Sequence, residues 1–87
     1  MSFKEEDKEL LIMNSKIVFD KTYEMSGLEG KPKFWLHKID SFLFVKSYIV
    51  HITRDDQPGI STLRFRQIPT LEEVANKYID IFIKKKL

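Results

Sequence analysis

The amino-acid sequence predicts an α+β domain: a strongly twisted antiparallel sheet of four to five strands, preceded by one helix and followed by a longer one, in the order α-β-β-β-β-α. Three observations carry this. Apolar and polar residues alternate with period two over residues 16–25 and 60–68, an apolar stripe with period 3.6 starts at Leu71, and the links between the strand-like segments are short. Short links favour antiparallel pairing over crossovers. Eighty-seven residues make a single domain, 1–87, with no interdomain linker, internal repeat or low-complexity segment.

Ser2-Phe3-Lys4-Glu5 fits a capping box, and the acids that follow suit the positive end of a helix dipole. A helix is expected from about Phe3 to Met13, closed by Asn14 as a left-handed C-cap. Its apolar residues are lopsided, Phe3 at one end and Leu10 to Met13 at the other, so packing rather than propensity has to hold it. From Lys16 to Met25, Ile17, Phe19, Tyr23 and Met25 alternate with Asp20, Thr22 and Glu24, the pattern of a half-buried strand. Ser26 to Pro32 holds two of the three glycines and one of the three prolines, which makes it the expected loop and the expected place of mobility.

Lys33 to Arg54 reads differently. Phe34, Trp35, Leu36 and Ile39 lead through a weak turn signal at Asp40-Ser41 into a run that is apolar in both registers: Phe42, Phe44, Tyr48, Val50 and Ile52 on one side, Leu43, Val45 and Ile49 on the other. A strand apolar on both sides is expected to be covered on both sides. At ~3.3 Å per residue an unbroken strand from Phe42 to Arg54 would reach roughly 43 Å, so a sharp bend, a bulge or a division into two strands is expected.

Asp55-Asp56-Gln57-Pro58-Gly59 is a strong turn, and Ile60 to Ile68 then alternates with Leu63 and Phe65 inward and Thr62, Arg64 and Arg66 outward. Pro69-Thr70-Leu71-Glu72-Glu73 is a second capping box. Leu71, Val74, Ala75, Tyr78, Ile79 and Phe82 form the stripe of the last helix, and Ile81 and Ile83 widen it beyond what one sheet face needs.

Composition excludes several functions. With no cysteine, thiol catalysis, thiolate zinc sites and disulfide frameworks are impossible, and no apolar run approaches the ~18 residues of a membrane span. The acidic start does not resemble a secretory signal, and the expected setting is the cytoplasm. Fifteen Lys and Arg against thirteen Asp and Glu leave +2, too little to make the whole chain a polyelectrolyte partner. The distribution says more: residues 1–29 carry four lysines and seven acids, residues 30–87 eleven basic residues and six acids. Lys84, Lys85 and Lys86 supply much of that second excess, where cations suit a helix C-terminus.

No catalytic constellation stands out, and an enzyme is not expected. His37 and His51 could in principle meet Asp40, Asp55 or Asp56 around a metal, but strand alternation sends His37 and Asp40 to opposite faces, so no metal or other cofactor is expected. Ser41, Ser47 and Ser61 lack a nucleophile elbow. Asp55-Asp56 and Glu72-Glu73 sit where turns and helix starts favour acids, and Gly27 to Lys31 lacks the glycine spacing of a phosphate loop.

Two surfaces remain. Eleven aromatic residues, a doubly apolar middle and an over-wide last helix supply more apolar area than one sheet-plus-helix layer buries. The expected function is a small non-enzymatic interaction module of accessory, regulatory or inhibitor type. It would bind a protein partner or a second copy through Phe42, Phe44, Tyr48, Ile79, Ile81 and Ile83, with no membrane and no small-molecule substrate. The alternative is binding of single-stranded nucleic acid on a basic, aromatic sheet face that uses Trp35, Lys38, Lys46, Arg64 and Arg66.

Overall fold

The computed structural model describes residues 3–13 and 16–84. Its elements are α1 (Glu5–Met13), β1 (Tyr23–Glu24), β2 (Lys33–Phe42), β3 (Val45–Arg54), β4 (Gln57–Phe65) and α2 (Leu71–Tyr78), which continues as a π-helical segment, Ile79–Ile83. The four strands form one antiparallel sheet in the order β1-β2-β3-β4. The α-β-β-β-β-α order is the one the sequence predicts. The expected caps at Ser2 and Asn14, and Lys85 and Lys86, lie outside the described residues.

In antiparallel ladders directly opposed residues share a face. Phe34 opposes Ile52, Leu36 opposes Val50, and Val50 opposes Leu63, which puts all five on one side of the sheet. There they join Leu71, Val74, Ala75, Tyr78 and Ile79 of the C-terminal helix in a single buried cluster. Thr70 closes the predicted capping box, its hydroxyl accepting from the Glu73 amide at 3.1 Å. Phe3, Leu10 and Leu11 pack against the same cluster. The N-terminal helix therefore does not cover the opposite face. Both helices shield one side of the sheet.

Three expectations about elements change, and one is met. The strand read over residues 16–25 shrinks to Tyr23–Glu24: the Ile17 amide bonds to the Pro69 carbonyl at 3.2 Å, a turn closes from Val18 to Lys21, and Phe19 is exposed. Of the three outcomes expected for Phe42 to Arg54, the division is the one found: Phe42 ends β2 and Val45 opens β3, with a two-residue turn at Leu43-Phe44 between them. β4 begins at Gln57, so Pro58 and Gly59 belong to the strand, where an edge position tolerates proline. The loop 26–32 is pinned. Met25 and Pro32 are joined by a 2.9 Å backbone bond, the Asp55 amide donates to the Gly30 carbonyl at 2.9 Å, and Leu28 is buried in the core.

The pinning is built around Gly30. Its φ of +83° is a conformation that side-chain-bearing residues rarely adopt, and a Cβ there would lie 2.6 Å from Arg54 Nε and 2.9 Å from the Tyr78 hydroxyl. Arg54 makes a two-pronged contact with Asp56, at 2.8 and 2.7 Å, and Tyr78 donates to the Glu29 carbonyl. Burial pushes the Tyr78 hydroxyl up to about 12, so it remains a donor at any physiological pH. At the other end of the loop the Gly27 amide donates to Asp7, whose carboxyl is buried in α1 and whose Oδ2 has no partner. Burial, ahead of the Gly27 bond that opposes it, raises the Asp7 pKa.

Candidate interaction surfaces: the hairpin tip and the uncovered sheet face

The β2–β3 hairpin is closed by the pair Phe42–Val45, which leaves Leu43 and Phe44 as the turn. Two-residue hairpin turns that match strand twist need positive φ at their first position, and glycine or asparagine normally supplies it. Here Leu43 takes it, at φ 57°. A left-handed leucine costs ~1–2 kcal/mol. Among the described residues no packing compensates: Phe42 is 77% exposed, Leu43 82%, Phe44 103% and Val45 63%. Four consecutive apolar residues thus project into solvent at the end of a hairpin.

This overturns the expectation that the doubly apolar segment is shielded on both sides. Alternation was read through a turn, where it has no meaning. Phe44 and Val45 are not the two faces of one strand but a turn residue and the first residue of the next strand. The apolar excess inferred from composition is present; its location is a convex tip rather than a covered layer.

The rest of the anticipated contact set divides. Ile79 is 4% exposed and belongs to the core, so it is not a contact residue of the folded chain. Tyr48 and Ile83 are half-buried against the same core. Ile81 reaches the surface only marginally. The π-helical segment widens the turn so that Phe82 and Ile83 both pack inward, and the surplus stripe is mostly spent on the core. Leu43 and Val45 were missed as candidates, although the unbroken apolar run Phe42 to Val45 marks them; only the position of the turn was hidden.

Among the described residues no helix lies on the far side of the sheet. Trp35, His51 and Thr62 share that face by register, as do Lys38, Ile49 and Arg64. A bulge between Leu36 and Lys38 inserts His37, and His37 stacks on His51 with centroids 3.6 Å apart and planes 15° from parallel. Trp35 meets His51 edge-on at 5.3 Å. Burial first, and the neighbouring His37 second, lower the His51 pKa and favour its neutral form. The bulge also corrects the alternation argument, because it brings His37 and Asp40 to one face; no group of three His, Cys, Asp or Glu suited to a metal occurs among the described residues.

Of the basic residues proposed for nucleic acid, Lys38 and Arg64 lie on this face, while Lys46 opposes Ser41 next to the tip and Arg66 follows β4. Two cations of the face are already paired. Arg64 Nη1 lies 3.4 Å from Asp40 and Lys33 Nζ 3.8 Å from Glu24. Such exposed pairs stabilise little, ~0–1 kcal/mol, but they reduce the positive field that a phosphate backbone would meet.

Fold and surface together define a two-layer α+β domain with one bare sheet face and an apolar fingertip. Compared with family models, curated proteins and solved structures, the chain shows no match. No helix among the described residues is long and apolar enough to cross a membrane.

Proposed function

We propose that this chain is a small, non-enzymatic interaction module of the cytoplasm, and that it engages a protein partner or a second copy of itself through the tip Phe42, Leu43, Phe44 and Val45. The observation that carries the reading is the unfavourable turn chemistry at Leu43 combined with full exposure of its apolar neighbours. A sequence selected only to fold would place glycine or asparagine there and polar residues beside it. Strain together with exposed apolar area is the signature of a site retained for contact.

Photocrosslinking tests it. A benzoylphenylalanine at position 44 is expected to give discrete protein adducts in cells that express the chain, and the same group at Thr62, exposed on the bare face, is expected to give none. Adducts from position 62 without any from position 44 would overturn the reading.

A second reading rests on the bulge, which gathers Trp35, His37, His51 and Lys38 on the uncovered face. Single-stranded nucleic acid stacking on such a platform would gain ~1–3 kcal/mol per base. The paired cations place it second.

A further inference from the structure

The same chain that carries the apolar fingertip also carries a hollow. Phe3, Lys8, Leu11, Ile12 and Glu72 line a surface depression of about 280 Å³, formed where α1 lies beside the start of α2. Clefts for drug-sized ligands run ~300–1,000 Å³, so this one is at the lower limit for a small molecule and suits a side chain or two. Ile12, part of its lining, is 81% exposed.

Charge distinguishes the two features. The half of the sheet that leads to the tip carries Lys38, Lys46, Arg64 and Arg66 against one acid, Asp40, with Lys46 beside the tip opposite Ser41. Around the hollow, the N-terminal segment exposes Glu5, Glu6 and Glu9 against Lys4 and Lys8, and α2 adds Glu72 and Glu73, so acids outnumber bases. A basic-flanked apolar knob and an acid-flanked apolar hollow are therefore parts of one molecule. Phe44 does not fill the hollow of its own chain, since it touches water on all sides. Two tips meeting each other would oppose convex shape to convex shape and lysine to lysine.

We infer that the chain associates head to tail, with the Phe42–Val45 tip of one copy seated in the Phe3, Leu11 and Ile12 hollow of the next. The inference rests on the reading of the tip as the contact element and names its occupant. Such a contact is heterologous: it leaves a free tip at one end and a free hollow at the other, so it propagates into short chains or closes into a ring.

Complementation between two exposed-site variants tests it. Phe44→Asp removes the knob and Ile12→Asp the hollow; both side chains are exposed, so both proteins should fold. In sedimentation velocity, the wild type is expected to grow in mass from low to high micromolar concentration. Each variant by itself is expected to lose that growth, and a one-to-one mixture to form a dimer, because one good knob and one good hollow remain. A wild type that stays monomeric, or a mixture that stays monomeric, overturns the head-to-tail contact. If Phe44→Asp dissociates the wild type but the mixture does not pair, the tips meet each other and only the hollow is wrong. Crosslinks from position 44 to a different protein would likewise sink this inference while leaving the tip as the contact element.

Discussion

Replacing Leu43 with glycine should make the protein more stable, which is the reverse of what removing a leucine usually does. In the left-handed region a leucine costs ~1–2 kcal/mol that glycine does not incur, and Leu43 sits there at φ 57°. Glycine gives part of this back by loosening the unfolded chain, ~0.4–1 kcal/mol. The side chain is 82% exposed, so little buried area is lost with it. The net expectation is a gain of about 0.5–1 kcal/mol, or a rise in Tm of roughly 2–8 °C for a domain of this size. Urea titration at fixed pH, with a thermal scan on the same samples, reads both quantities. Association through the tip should weaken in the same variant, because an apolar contact has gone. Stability and association moving in opposite directions is the expected signature. A Leu43→Gly protein less stable than wild type by more than about 0.5 kcal/mol would show that the leucine packs within the monomer, and the account of the tip would be wrong.

Further expectations concern the core, the buried acid and the bare face. Gly30→Ala should lower stability by at least ~1–3 kcal/mol in the same titration, because the new Cβ meets Arg54 and the Tyr78 hydroxyl in a backbone conformation that alanine resists; an unchanged midpoint would mean the loop can move aside. Asp7→Asn should stabilise the protein at pH 7. The folded pKa of Asp7 lies above its unfolded value near 3.9, so the fold holds the proton more tightly, and stability present below that value is lost as pH rises through the raised one. The advantage of the asparagine variant should therefore shrink toward acid, and a variant less stable than wild type at pH 7 would show that the charge itself is needed. Oligonucleotide binding on the open face, if it occurs, should weaken steeply between roughly 50 and 200 mM salt and vanish in Arg64→Glu with Arg66→Glu; fluorescence anisotropy that shows binding unaltered by both changes would remove these arginines from that reading.

The parts of the fold that were legible in the sequence are those whose signal is local and periodic. Thr70 and Glu73 announce the start of α2, and the 3.6-residue stripe from Leu71 to Ile79 is buried as its spacing demands. Leu63, Thr62 and Arg64 take the faces that alternation assigns them. Failures arise where tertiary contacts override the pattern. Ile17 satisfies its amide on Pro69 and not on a strand neighbour, so the alternation around it builds a bent segment instead of a ladder. Phe42 to Val45 offers no glycine, proline or asparagine, so a turn located by residue chemistry falls at Asp40-Ser41, ahead of its true place. The bulge at His37 is equally silent, since one inserted residue leaves no compositional mark yet reverses the facing of the rest of β2, Lys38 to Phe42. The loop 26–32 looked loose because it is rich in glycine. In the fold one of those glycines lets Arg54 and Tyr78 close over it, and burial of Leu28 does the rest. For the contact surface, composition revealed the excess of apolar side chains, and only the strand register revealed which of them have nothing to touch.

Fluorine NMR of the chain labelled with a single 4-fluorophenylalanine at position 44 measures the central claim most directly, using a soluble nitroxide to broaden whatever solvent can reach. In dilute solution the resonance should be fully broadened, because the ring is fully exposed among the described residues. As concentration rises or a partner is added, it should become protected and shift. A ring shielded already in the dilute monomer, or one that stays open to the probe under every condition, would contradict the claim that this fingertip exists to be covered by another molecule.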